Sequence, residues 1–282
     1  MDRKKITIST LREKMESGEL ITMLTGYDYP TALLEERAGI DIILVGDSMG
    51  MTVLGYDSTL PVKMDIMIDH AKAVRKGAPT AYLVGDMPYM TYQISKEEAI
   101  RNAGRFMSEA GTDCIKLEGG RNVAETVRAI VNATIPVMGH IGLTPQSIAQ
   151  LGGFKAQGRD AEAARILVED ARLLEDAGVS SLLVEAVPPE VMEIIASRAK
   201  VPVISLGSGK SGNGQLLILH DMIGFFDAFT PKFVKKYANI NEVIFNALTQ
   251  YVLEVKTGVF PEEKYTYSMK ANEAGRMKDS LV

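Results

Sequence analysis

Short apolar runs recur along this chain with room for a helix between them, and no other feature constrains the fold as strongly. The runs are Leu20–Leu24, Ile40–Val45, Ala81–Val84, Cys114–Leu117, Ile135–Met138, Ser181–Val184 and Val201–Leu206. Most are rich in Ile, Leu and Val, which suits parallel strands covered on both faces. Between them, Thr31–Ala38, Glu97–Ala110 and Ala161–Ala177 carry apolar residues at helical spacing. Ser95 reads as an N-cap with Glu98 three residues on, a capping box, and Gly39, Gly111 and Gly178 close the apolar stripes. The step recurs as AGIDIILV, AGTDCIKL and AGVSSLLV. Such alternation predicts a parallel sheet with crossover helices. Seven readable strands, with an eighth expected near Met222–Phe226, favour a closed α/β architecture, the (β/α)8 TIM barrel. No G-x-G-x-x-G follows the first run and no Walker A sequence is present, which weighs against an open nucleotide-binding sheet. Lys232–Lys256 reads as one or two terminal helices. The single barrel domain is expected over residues 1–265, followed by a polar tail, 266–282, weakly ordered or docked on a partner subunit.

The 282 residues suit one such barrel, typically about 250 residues long. Lys and Arg number 31 against 36 Asp and Glu, a net charge of −5. A mildly acidic chain is a poor binder of nucleic acid or anionic membrane, which require a basic surface. The one cysteine, Cys114, excludes an intrachain disulfide framework and reads as a core thiol. No signal peptide is visible and no apolar stretch reaches the roughly 20 residues of a membrane span. The expectation is a cytoplasmic protein.

In a barrel the chemistry lies at the C-terminal ends of the strands. Five successive runs close on ionisable groups: Gly46-Asp47-Ser48, Gly85-Asp86, Lys116 with Glu118, Gly139-His140, and Glu185. Lys116 and Glu118 are two apart and so share one face of a strand. Asp47 alone would pass for a helix cap, and Asp86 for a turn residue before Pro88. Together, Asp47, Asp86 and Glu118 offer oxygen ligands for a hard cation, Mg²⁺ or Mn²⁺. Zinc is disfavoured, because His70, His140 and His220 are scattered and no H-E-x-x-H pair occurs. His70 reads as a surface or packing residue, His220 equally as a helix-face or a turn residue, and His140 as a residue of the rim. Lys116 is a poor imine-forming lysine, since neighbouring carboxylates favour its charged form; it reads as the cation for an anionic substrate group. A divalent metal chelated by a 2-oxo acid would stabilise the enolate formed when the adjacent carbon loses a proton. Glu185 is the acid/base candidate, and the chemistry is an aldol-type C–C bond formation. The constellation leaves the substrates unnamed.

At these residues the chain resembles the ketopantoate hydroxymethyltransferase family. The resemblance rests on ordered blocks: L-T-G-Y-D-Y near Tyr27, V-G-D-S-M-G-M-T-V at Val45–Val53, D-S-T-L-P-V at Asp57–Val62, R-K-G-A-P, V-G-D-M-P-Y-M at Val84–Met90, K-L-E-G-G at Lys116–Gly120, G-H-I-G-L-T-P-Q-S at Gly139–Ser147, G-G-F-K-A-Q-G-R at Gly152–Arg159, L-V-E-A-V-P at Leu183–Pro188 and P-K-F-V-K near Pro231. It implies a barrel of the phosphoenolpyruvate/pyruvate type. The implied reaction is hydroxymethyl transfer from 5,10-methylenetetrahydrofolate to 3-methyl-2-oxobutanoate, giving 2-dehydropantoate for pantothenate and coenzyme A synthesis. By that resemblance Asp47 and Asp86 would bind Mg²⁺, with Glu118 nearby through water. Ser48 and Lys116 would hold the oxo-acid carboxylate, Glu185 would carry the proton and His140 would line the site. A homo-oligomer, a decamer of two pentamers, is also implied.

The chain departs from the family pattern after the seventh run. Where G-I-G-A-G and D-G-Q are usual, it reads Ser205-Leu206-Gly207-Ser208-Gly209 and Asn213-Gly214-Gln215. This loop is expected to face the rim and bear on the choice of oxo acid or electrophile. A paralogue for another 2-oxo acid is therefore one alternative. A C–C lyase of the phosphoenolpyruvate-mutase/isocitrate-lyase kind is another, though its usual K-K-C-G-H loop is missing. A barrel that serves only as a scaffold is the third.

Overall fold

The computed structural model describes residues 3–280. Eight parallel strands close into a barrel in chain order: β1 Ile21–Thr25, β2 Ile42–Val45, β3 Tyr82–Asp86, β4 Cys114–Glu118, β5 Val137–Gly142, β6 Ser181–Glu185, β7 Val203–Leu206 and β8 Gly214–Leu217. Pairing of Ile21 with Gly214 through Leu24 with Leu217 seals β1 to β8. The helices are α1 Ile8–Ser17, α2 Tyr29–Ala38, α3 Met49–Thr52, α4 Met64–Gly77, α5 Lys96–Ala110, α6 Ala124–Asn132, α7 Ile148–Leu151, α8 Ala161–Ala177, α9 Pro189–Arg198, α10 Leu219–Met222, α11 Ile240–Thr257 and α12 Glu273–Ser280.

The two-residue period of the strands divides the core in two. Ile21, Met23, Ile42, Leu44, Val84, Cys114, Met138, Leu183 and Ile204 belong to the cluster inside the barrel. Their neighbours Ile43, Val45, Leu83, Ile115, Leu117, Leu182, Val184 and Val203 face outward onto the helices. The inward series thus begins apolar and, at the C-terminal ends of β3 to β6, turns ionisable. Asp28, Ser95 and Asp160 cap α2, α5 and α8 by accepting N–H bonds from Thr31, Glu98 and Ala163. Of the box expected at Ser95 this is the half recorded; a reciprocal box forms at Thr7 and Thr10 ahead of α1.

The eighth strand is Gly214–Leu217 rather than Met222–Phe226. Gly214 reads as a turn residue in the sequence, yet it lies so close to β1 that a Cβ there would stand 2.3 Å from Ile21 O. Residues 207–213 return the chain from β7 to β8 without a helix. The terminal helical stretch predicted over Lys232–Lys256 starts later, at Ile240, and α11 buries none of its residues. The expected polar tail contains α12, which is also unburied; its last two residues lie outside the described part. Among the described residues no helix is long and apolar enough to cross a membrane.

Candidate active site

All seven residues singled out in the sequence meet at the C-terminal mouth of the barrel. Asp86 and Glu185 end β3 and β6, Lys116 and Glu118 project inward from β4, and His140 does so from β5. Asp47 and Ser48 follow β2. Ser48 is partly exposed, and none of the other six is more than 8% exposed.

The polar groups form one connected cluster. Lys116 Nζ is 2.8 Å from Asp86 Oδ1, 3.6 Å from Glu118 Oε1 and 3.3 Å from His140 Nδ1. His140 Nδ1 is also 3.5 Å from Glu118 Oε1, and His140 Nε2 is 3.2 Å from Glu185 Oε2. The Asp47 N–H donates to Asp86 Oδ2 at 3.0 Å.

Burial sets the electrostatics. It pushes Asp47 well above the ordinary carboxylate range, and the charges of Asp86 and Glu118 add to this. It also raises Asp86, which Lys116 offsets only in part. At Glu118 burial works upward, but Lys116 and His140 outweigh it and hold the group below its ordinary value. Burial alone would lower Lys116; Asp86, Glu118 and Asp47 reverse this and keep the amine protonated, unlike an imine-forming lysine. His140 is pulled down by burial and Lys116, yet hydrogen bonds to Glu118 and Glu185 leave it raised.

Three buried carboxylates therefore face one permanent cation, and the cluster lacks positive charge. Asp86 Oδ1 has the Lys116 ammonium 2.8 Å away and no other polar partner. This under-satisfied buried oxygen and the all-oxygen donor set suit a hard dication. Among the described residues no three His, Cys, Asp or Glu side chains stand ready as a metal cage. Glu118 is instead engaged by Lys116, His140 and the Gln146 N–H, the last at 2.9 Å.

Gln146, Tyr92, Tyr27 and Asp221 are given no role by the sequence, although Tyr27 and Gln146 fall within blocks shared with the family. Gln146 Nε2 donates to Asp47 Oδ2 at 2.8 Å and to Met87 O at 3.0 Å. Tyr92 Oη donates to Gln146 Oε1 at 2.7 Å and accepts the Glu118 N–H at 3.2 Å. The Tyr27 hydroxyl lies 2.8 Å from Ser48 Oγ. The signal for Gln146 is its place in G-H-I-G-L-T-P-Q-S, seven residues after Gly139. Tyr27 is signalled by the L-T-G-Y-D-Y block, and nothing local marks Tyr92. Cys114 stays outside the cluster, as expected of a core thiol, and burial pushes it up to about 12; His220 also lies outside, stacked on Phe225 with ring centroids 5.2 Å apart.

A cavity of about 660 Å³ opens above Ser48 and Glu185. Met51, Leu143, Val187, Leu206 and Phe226 give it apolar walls, and burial lifts the Asp221 carboxyl beside them to about 6. Ala186, immediately after Glu185, has φ +49°, a left-handed conformation uncommon for a residue with a Cβ. At Gly207 a Cβ would lie 2.5 Å from Phe233 Cδ1, so the wall requires glycine.

The divergent loop does not present its unusual residues to this cavity. Leu206 and Gly207 line it, but Ser205 and Ser208 are fully buried. Ser205 Oγ donates to Gly209 O at 2.8 Å, and Ser208 Oγ to Val184 O at 2.9 Å. Asn213 lies at the opposite end of the barrel, where its Oδ1 accepts the N–H of Val203, the first residue of β7, at 2.9 Å. The expectation that these substitutions act at the rim is corrected: they brace the helix-free return from β7 to β8.

A sequence model described as ketopantoate hydroxymethyltransferase matches residues 5–263. The 3-methyl-2-oxobutanoate hydroxymethyltransferase of Alkaliphilus metalliredigens (strain QYMF) is 56% identical over 264 residues, 94% of this chain and 93% of that protein. The enzyme of the same name from Syntrophomonas wolfei subsp. wolfei is 51% identical over 97% of this chain and 99% of its own. Among solved structures, phosphonopyruvate hydrolase superposes with a TM-score of 0.62 at 13% identity, covering 99% of this chain and 97% of its own. 2,3-Dimethylmalate lyase, a PEP mutase/isocitrate lyase superfamily member, does so with 0.60 at 14%, covering 97% and 98%. At such identities the structures share the barrel alone. Matched over nearly its whole length by close relatives and by the family's own sequence model, the chain belongs to the ketopantoate hydroxymethyltransferase family.

Proposed function

We propose that this transferase moves a hydroxymethyl group from 5,10-methylenetetrahydrofolate to 3-methyl-2-oxobutanoate, giving 2-dehydropantoate for pantothenate and coenzyme A synthesis. The observation that carries the reading is the placement of Glu185. One of its oxygens lies 3.2 Å from His140 Nε2, and the residue borders the cavity. Glu185 takes the proton from C3 of the oxo acid. Lys116, held protonated, and Ser48, held by Tyr27, bind the substrate carboxylate. Asp47 and Asp86 would hold Mg²⁺, with Glu118 contributing through water. When bound, the metal supplies a Lewis acid for the keto oxygen. The apolar cavity walls exclude water from the carbon nucleophile until the one-carbon unit arrives.

The buried hydroxyls of Ser205 and Ser208 support the usual oxo acid over a different one, since neither reaches the cavity. The reading also includes one catalytic domain over residues 1–265, action in the cytoplasm and a homo-oligomer, a decamer by family resemblance. The uncovered α11 supports assembly. The test is formation of 2-dehydropantoate from the two substrates with Mg²⁺ and with EDTA. Turnover only with the metal is expected, and no turnover with Mg²⁺ present rejects the activity.

A further inference from the structure

Two sequence blocks, Gly152–Arg159 and the one beginning at Pro231, take no part in the polar cluster. They are far apart in the chain, yet both line the cavity above it. Phe154, Lys155 and Arg159 come from the first, and Lys232 and Phe233 from the second. The cavity is large for a five-carbon oxo acid, whose carboxylate is already taken by Lys116 and Ser48. At about 660 Å³ it falls among pockets that enclose much bigger ligands.

The chemistry of the outer part differs from that of the floor. Lys155, Arg159 and Lys232 are exposed, and among the described residues none of them forms an ion pair. Other surface cations do pair: Arg165 with Glu162 and Glu169, Arg172 with Asp176. Nearby carboxylates are engaged elsewhere. Asp160 caps α8 through the Ala163 N–H, and Asp227 bonds Asn241. Glu185 and Asp221 are the acids on the cavity wall, and both are buried. In a chain where acids outnumber bases 36 to 31, three unpaired cations round one mouth form a local positive rim. Beside them Phe154 and Phe229 are 53% and 67% exposed, so two aromatic surfaces of the same cavity face solvent.

We propose that this outer part binds the one-carbon donor through two separate devices. The flat heteroaromatic ring packs against Phe154, Phe226 and Phe229. The carboxylates of its γ-glutamyl tail sit on Lys155, Arg159 and Lys232, so that longer tails bind more tightly. The inference rests on the reading of the chain as a user of a folate donor and adds where and how the donor is held.

Calorimetric titration of the full-length protein with tetrahydrofolate carrying one or four glutamates tests it. The tetraglutamate is expected to bind roughly 5-fold more tightly, and a K155E/K232E variant to lose that advantage while the monoglutamate affinity stays within about 2-fold. Phe229→Ala is expected to weaken both forms alike, by roughly 5-fold. Proton exchange at C3 of the oxo acid, read by NMR, should be unchanged in both variants, which shows that they are folded and that the floor is intact. Equal binding of the two tail lengths by the unmodified protein, or a variant that keeps the preference, overturns the cationic subsite alone. Indifference to Phe229→Ala overturns the ring placement. Binding of neither form by a protein that still exchanges the C3 proton overturns the folate reading and this inference with it.

Discussion

His140 Nε2 stands 3.2 Å from Glu185 Oε2 while His140 Nδ1 stands 3.3 Å from Lys116 Nζ, so one imidazole joins the proposed proton carrier to the buried ion cluster. A carboxylate that removes a proton from carbon must hold one orientation, because a C–H bond does not draw it into place by hydrogen bonding. His140 fixes that orientation from a strand next to β6. Glu185→Gln keeps the shape and loses the base. It should bind the oxo acid as before and slow C3 proton exchange by about 10²- to 10⁴-fold, measured by deuterium incorporation. Exchange at the original rate would take Glu185 out of its assigned role.

Gln146 acts on the carboxylates from above. Its amide donates to Asp47 Oδ2, its backbone N–H to Glu118 Oε2, and Tyr92 fixes the amide's other end. Groups that orient ligand carboxylates in this way typically change metal affinity by about 10- to 100-fold when removed. Gln146→Leu retains bulk but cannot donate. Its Mg²⁺ dissociation constant, measured by calorimetry, should rise by about that factor, and an unchanged constant would leave Gln146 a merely structural residue.

The barrel and its rim were legible because both are written in short-range pattern. Runs of apolar residues announce β1 to β7, and a charge placed just where a strand ends announces Asp86, Glu118 and Glu185. Lys116 and Glu118 needed only the two-residue period. Gln146 and Tyr92 escaped because their importance lies in contacts across 99 and 26 positions, Gln146 with Asp47 and Tyr92 with Glu118, and no local spacing encodes these. The eighth strand escaped because Gly214 and Gln215 lack the apolar signature; β8 follows from the space left beside β1 rather than from its own composition. Ser205 and Ser208 misled for a related reason. A hydroxyl beside a strand end looks like a ligand group until a backbone carbonyl is found to consume it.

Glu35 on α2 gives the fold a pH dependence unrelated to catalysis. It is 3% exposed, neither carboxyl oxygen has a hydrogen-bond partner, and burial, with Asp28 contributing, pushes it up to about 8. Below its ordinary value of 4.5 the group is protonated whether the chain is folded or not. Between there and about 8 the unfolded chain releases the proton while the folded chain keeps it. Stability therefore falls as pH rises through this window, by at most about 1.4 kcal/mol per pH unit, and the loss levels off above it. Glu35→Gln cannot ionise and should be spared this loss. Its melting temperature should gain steadily on that of the unmodified protein from pH 5 to pH 8, followed by scanning calorimetry. Parallel curves would mean that Glu35 ionises freely in the fold.

The last long helix buries nothing against its own barrel. Along α11, Phe245, Leu248 and Val252 follow the three- and four-residue steps of one helical face and are 65%, 59% and 47% exposed. An apolar stripe of this length, open to water on an 18-residue helix, is the mark of an association surface. The homo-oligomer proposed above would cover it. Two acids placed on the stripe, Leu248→Glu with Val252→Glu, would face burial of unpaired charge in any such contact. The double variant should therefore elute as a smaller species by light-scattering chromatography, with the circular dichroism of the barrel retained, because neither side chain supports the barrel core. An unchanged particle mass would show that α11 lies outside the assembly contacts.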